Sequence, residues 1–133
     1  MNKRVCCRAV IIKDGFVYLM YREKMINGQK ITFYTYPGGG VEENETLEET
    51  VIREVKEEFN LDVIINKFLK TIEREENITH YFSCKIIGGD FKLSGEEKLR
   101  NSEDNYYEVR KVSLNEISKI DLYSKELINE SLN

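Results

Sequence analysis

The sequence predicts an α/β chain, α+β in the broader sense, with strands that have helices on either side. Three observations predict it. Apolar runs over 5–13, 16–22, 31–36, 61–74, 78–87 and 106–112 read as strands. The segment 46–60 carries helical periodicity, and shorter helical patterns close the chain at 113–116 and about 124–131. At 133 residues the chain is long enough for one domain, 1–133, with a real core.

The first strand, 5–13, ends at Asp14-Gly15, a hairpin signal, and 16–22 returns. Arg8 lies in the first strand. It is either an exposed sheet residue or a cation facing a pocket. Asn27-Gly28 marks a second turn before 31–36, where Tyr34 and Tyr36 alternate and point one way. Pro37 then fixes its own φ, and Gly38, Gly39 and Gly40 free theirs. Three glycines in a row let backbone groups approach a ligand closely, which makes Gly39 a candidate substrate contact.

Thr46 is a good N-cap and Glu49 follows three residues later, the pattern of a capping box. Leu47, Val51, Val55 and Phe59, with Ile52 beside them, form one apolar stripe for burial. Asn60 falls at the expected left-handed C-terminal position. Glu54, Glu57 and Glu58 share a face that flanks the stripe. Like charges there repel. A divalent cation such as Mg²⁺ would offset that repulsion, and it is commonly shared with substrate phosphates. A solvated acidic face is the plainer alternative.

After the helix, 61–65 and 68–74 read as one strand broken near Asn66-Lys67. It pairs antiparallel with 78–87 through Glu75-Glu76-Asn77. His80, the one histidine, reads as a satisfied or exposed strand residue. The stretch 89–105 is polar and reads as an irregular loop. As a loop closing over a site it offers Glu96, Glu97, Glu103 and Asp104 as late carboxylates. The last strand, 106–112, precedes a Ser113–Glu116 capping box, and the final helix offers Leu127, Ile128 and Leu132 for packing.

Net charge is −4, so no chain-wide basic field exists for nucleic acid. The apolar segment after Lys3 and Arg4 is cut short by Asp14 and Gly15, so neither a signal peptide nor a membrane helix is expected. Cys6, Cys7 and Cys84 are odd in number and show no CxxC spacing. Reduced thiols in a cytoplasmic protein are the expectation. Adjacent Cys6 and Cys7 point to opposite faces of their strand.

Spacing joins these pieces. Gly39, five residues, Glu45, seven residues, then Arg53-Glu54-Val55-x-Glu57-Glu58-x-Asn60-Leu61 resembles the Nudix box, G-x5-E-x7-R-E-U-x-E-E-x-G-U. Asn60 stands where the box has Gly, and Asn44 where the family often has Gly. Asn is the residue that best tolerates positive φ after Gly. The motif covers Gly39 to Leu61, and element order extends the likeness over most of the chain.

The resemblance implies a Nudix-type α/β/α sandwich with a mixed β-sheet. It implies Mg²⁺ or Mn²⁺ held by Glu54, Glu57 and Glu58 with the Gly38 carbonyl, a salt bridge from Arg53 to the glutamates, and Glu45 in support. Water would attack a phosphorus of a nucleoside diphosphate linked to X, with Glu57, Glu54 or a late carboxylate as base. Arg8 and Gly39 would meet substrate. No Pro stands about fifteen residues past the box, where ADP-ribose enzymes often have one, and the coenzyme A pattern is absent. Tyr81 stands slightly far for the dinucleoside polyphosphate marker. By elimination the expectation is a nucleoside triphosphate, oxidised forms included, cleaved to monophosphate and pyrophosphate. The alternatives are ADP-ribose or dinucleoside polyphosphate hydrolysis, and a non-catalytic nucleotide-binding module. The expected partner is a small nucleotide, neither a nucleic-acid polymer nor a membrane, and a homodimer is left open.

Overall fold

The computed structural model describes residues 2–133, except the side chains of Glu96, Glu97 and Leu99. The strands are β1 Arg4–Lys13, β2 Phe16–Ile26, β3 Gln29–Thr35, β4 Gly38–Gly40, β5 Leu61–Glu73, β6 Asn77–Gly89 and β7 Asn105–Ser113. The helices are α1 Leu47–Phe59, α2 Gly95–Arg100, a 3-10 helix over Leu114–Lys119, and α3 Glu126–Leu132.

The sheet runs β3-β2-β1-β6-β5, with β4 paired to β1 and β7 to β2. β1 and β6 are parallel, from Arg4↔Asn77 to Ile11↔Cys84, and the other pairs are antiparallel, so the sheet is mixed. The expected turns both form in left-handed geometry: Asp14 and Gly15 have φ 52° and 81°, Asn27 and Gly28 φ 50° and 79°. β2 continues past Arg22 to Ile26, because β3 and β7 pair with it from both sides. The β5–β6 pairing shifts register between Ile65 and Lys67, at the expected break, without ending the strand.

Two apolar cores lie on opposite faces of the sheet. Under α1, the fully buried Val51, Val55 and Phe59 meet Cys7, Ala9, Ile11, Phe82 and Cys84. Each large side chain so buried contributes about 1.5–3 kcal/mol. On the other face Val10, Leu19, Tyr36, Tyr81, Leu127 and Ile128 gather beneath the 3-10 helix and α3. Cys6 and Cys7 do point opposite ways: Cys7 enters the α1 core and Cys6 lines a cavity on the far side.

Several expectations are corrected. Ile52 is 39% exposed, at the rim of the buried stripe. Leu132 is 56% exposed because α3 presents Leu127 and Ile128 to the core instead. The polar stretch 89–105 is not wholly irregular, since it holds α2. Ser113 accepts from the Asn115 amide, one residue earlier than a capping box requires, so a 3-10 helix follows.

Candidate active site

The site is assembled where β4 meets α1. Gly38, Gly39 and Gly40 pair with Arg8, Cys7 and Cys6 of β1. A Cβ on Gly38 would overlap the Cys7 carbonyl oxygen. One on Gly39 would lie 2.6 Å from the Glu54 carboxylate. The glycines therefore let the backbone lie directly against β1 and against the acidic face of α1.

α1 is fixed at both ends. Thr46 and Glu49 exchange side-chain and backbone hydrogen bonds, completing the capping box. Asn60 adopts φ 58° and its N–H donates to Lys56 O, the left-handed cap that the box glycine would supply. Asn44 likewise takes φ 66°. The last-turn carbonyls are covered by the following segment: Lys92 N–H donates to Phe59 O at 3.1 Å, and Ser94 N–H to Glu58 O at 3.0 Å.

Arg53 organises the carboxylates. Its Nε donates to Glu45 Oε2 at 2.6 Å and its Nη2 to Glu45 Oε1 at 3.0 Å. Nη1 lies 2.9 Å from Glu54 Oε1 and 3.2 Å from Glu57 Oε2, and Nη2 also donates to Gly40 O. Glu45 further accepts from the Thr50 hydroxyl and the Glu42 amide. The Arg53 hydrogen bond, then the Glu42 amide and Thr50 hydroxyl, hold its carboxyl down at about 2. Carboxylate hydrogen bonds hold the Arg53 guanidinium above its ordinary value. Glu58 is buried, and its Oε1 accepts from the Gly38 amide at 2.9 Å.

A groove of about 300 Å³ is lined by Gly38–Gly40, Glu42, Arg53, Glu54, Glu57, Arg4 and Arg100. A second cavity, of about 420 Å³, opens between the β1–β6 floor, the β3 edge and residues 121–123. Arg4 lines both and joins them. Arg8 faces this second cavity and donates to Tyr36 O. His80 instead pairs with Thr71 across β5 and β6.

Among the described residues no group of three or more His, Cys, Asp or Glu side chains converges on one cation position. Arg53 lies between Glu54 and Glu57, and Glu58 turns to Gly38. The donor set still suits one kind of ion. Two carboxylates beside a glycine backbone fit Mg²⁺, which keeps several waters and completes its shell with substrate phosphate.

Sequence reasoning missed Arg4 and Arg100. Neither belongs to a motif: Arg4 follows Lys3 near the start of the sequence and Arg100 lies in the polar 89–105 stretch, and only folding brings them to the groove. The late carboxylates are also redistributed. Glu103 and Asp104 do not line the groove, whereas Arg100 of the same stretch does. The Glu96 and Glu97 side chains lie outside the described residues.

Comparison with known proteins shows the family. The family model described as NUDIX domain matches residues 3–129. The chain belongs to that family. Over 104 residues it is 30% identical to an ADP-ribose pyrophosphatase of Methanocaldococcus jannaschii, covering 74% of this chain and 60% of the relative. It is 29% identical to an 8-oxo-dGTP diphosphatase of Proteus vulgaris, covering 56% and 66%. A nudix hydrolase of Caenorhabditis elegans is matched over only 22% of its length, so the chain spans between about a fifth and two thirds of these relatives.

Among solved structures, a MutT NUDIX hydrolase from Burkholderia pseudomallei superposes with TM-score 0.72 at 18% identity, covering all of both chains. An ADP-ribose pyrophosphatase from Streptococcus suis gives 0.67 at 19%, covering 98% of this chain and 90% of the other. These likenesses establish the α+β Nudix fold. No helix among the described residues is long and apolar enough to cross a membrane.

Proposed function

We propose that this chain, as one domain, hydrolyses a phosphoric anhydride bond of a nucleoside diphosphate linked to X. A nucleoside triphosphate is the leading form, yielding monophosphate and pyrophosphate. One observation carries the reading. Glu54 and Glu57 flank the Arg53 guanidinium in a groove floored by glycine backbone, and Arg4 joins that groove to a cavity large enough for a nucleoside. The two curated relatives named above act on ADP-ribose and on 8-oxo-dGTP, which supports a nucleotide substrate and leaves X open.

In this reading Glu54, Glu57 and the Gly38–Gly40 backbone would hold Mg²⁺ or Mn²⁺, with Glu58 adding its carboxylate or fixing the Gly38 peptide. When bound, the ion neutralises phosphate charge and lowers the pKa of water. Glu57, whose side chain is 52% exposed against 16% for Glu54, accepts the proton of the attacking water. Arg53, locked onto Glu45, keeps the carboxylates apart and oriented. Arg4 and Arg100 meet phosphate oxygens from the groove walls, and Arg8 reads the part of the substrate in the cavity.

Phosphate or pyrophosphate release from dNTPs, 8-oxo-dGTP, ADP-ribose, diadenosine polyphosphates and NADH, with Mg²⁺ or Mn²⁺, tests the proposal. Turnover that requires metal and falls by about 10²–10⁴ in Glu57→Gln is expected. Nucleotide binding without any turnover would refute it and identify a binding module.

A further inference from the structure

The cavity beside the groove is more basic than a neutral nucleoside requires. Arg4, Arg8 and Arg74 all line it, and Asp121 is its one carboxylate. Among the described residues none of these three arginines makes an ion pair, whereas Arg53 and Arg110 both do. Arg74 reaches in from the β5–β6 turn, its guanidinium 3.6 Å from the centre of the Tyr123 ring. Stacking occupies a guanidinium's face and leaves its N–H edge to fork onto an oxyanion. The Arg74 guanidinium donates no hydrogen bond among the described residues. Arg8 spends one donor on the Tyr36 carbonyl.

Tyr81 lines the same cavity as Arg8 and Arg74. Its buried phenol feels both cations, which pull its proton affinity down against the upward push of burial. Its ring meets Tyr36 edge to face at 5.9 Å. Arg8 and Arg74 thus line one cavity with Phe33, Tyr34, Tyr36 and Tyr81, and Arg4 stands where it meets the groove, so cationic donors and aromatic side chains share one space.

We infer that this cavity takes a nucleoside whose ribose carries a phosphate of its own, bound by Arg8 and Arg74, beyond the anhydride held in the groove. The inference rests on the hydrolase reading for what fills the groove, but its test does not need turnover.

Calorimetric binding of adenosine 3′,5′-bisphosphate, adenosine 2′,5′-bisphosphate and AMP is compared in the presence of Mg²⁺. At least one bisphosphate is expected to bind about 10-fold more tightly than AMP or better, the scale of one charge-assisted fork. Arg74→Gln and Arg8→Gln should each shrink that ratio toward one, whereas a merely structural defect weakens all three ligands and keeps it. Equal affinity for bisphosphates and AMP in the wild type overturns the inference, as does a ratio that survives both substitutions. Absence of hydrolysis with a retained bisphosphate preference would sink the proposed function and leave this inference standing.

Discussion

Arg53 grips both carboxylate oxygens of Glu45, Nε at 2.6 Å and Nη2 at 3.0 Å, across eight residues of chain. The two stand one on the helix and one in the loop before it, so the fork sets how α1 meets the glycine strand. It also turns Nη1 of Arg53 toward Glu54 and Glu57. A lysine has one charged nitrogen and cannot hold both directions at once. With Glu54 and Glu57 in the metal role proposed above, Arg53→Lys should therefore lower kcat/KM by about 10–100-fold, the usual effect of losing a group that orients metal ligands. Circular dichroism should remain that of the wild type. Activity within twofold of wild type would show that the fork orients nothing.

The two glycines beside the fork should fail differently. A side chain on Gly38 meets the Cys7 carbonyl, a backbone atom of a central strand that cannot move aside. Gly38→Ala should cost about 3 kcal/mol in denaturant unfolding, the upper range for overpacking. A side chain on Gly39 meets the Glu54 carboxylate, the end of a flexible side chain. Gly39→Ala should stay folded and lose metal-dependent activity. Equal thermal shifts in the two variants would contradict this division.

Glu45 also carries a pH signature. Its carboxyl is held at about 2 in the folded chain, against 4.5 unperturbed. A depressed folded pKa gives stability that is complete above the unfolded value and lost as pH falls toward the folded one. The melting-temperature gap between wild type and Glu45→Gln should be constant above about pH 5.5 and close progressively as pH falls toward 2. A gap that holds at pH 2.5 would assign the effect to packing.

Local rules made much of this fold legible. Thr46 and Glu49 cap α1 as their spacing predicts, and Asn60 and Asn44 take the positive φ that Asn tolerates in place of Gly. What stayed hidden depends on distant partners. The parallel β1–β6 pairing leaves no local mark, and it alone brings Asn77, Thr79 and Tyr81 beside Arg4, Cys6 and Arg8. α2 has one apolar residue, Leu99, and no period to read. Its start is set by Ser94 and Gly95 against α1, where a Cβ on Gly95 would come 2.7 Å from the Glu57 carbonyl oxygen. Arg74 and Asp121 lie in turns and reach the cavity only after folding.

The cysteines should be silent in the native protein. All three are buried, and burial raises the Cys7 and Cys84 thiols to about 12. Thiolate is the reactive form, so neither should react with an aromatic disulfide reagent at pH 8 until the chain unfolds. Cys6 lines the cavity, and any slow native labelling should belong to it and be suppressed by bound nucleotide. Rapid labelling of two or more thiols would mean that the α1 core opens readily.

Arg100 gives the prediction that most separates this chain from a reading based on its helix alone. The stretch after Gly89 holds five carboxylates, four of them expected as late bases, yet the described side chain it brings to the groove is a cation. Arg100 ends α2, which packs on α1 and β7, so its approach is set by the same segment that caps the glutamate helix. The groove carries Glu42, Glu54 and Glu57, and a polyphosphate entering it needs positive charge besides metal. A hydrogen bond from a charged donor contributes about 1.5–3 kcal/mol, so Arg100→Ala should lower kcat/KM by about 10–100-fold. The loss should be greater for a triphosphate than for a diphosphate-linked sugar, and Arg100→Lys should recover part of it. If Arg100 acts on phosphate, as proposed, the Mg²⁺ concentration giving half-maximal rate should stay near that of the wild type. A variant with wild-type kcat/KM would remove Arg100 from the site, and one with only a raised Mg²⁺ requirement would make it a support for Glu57.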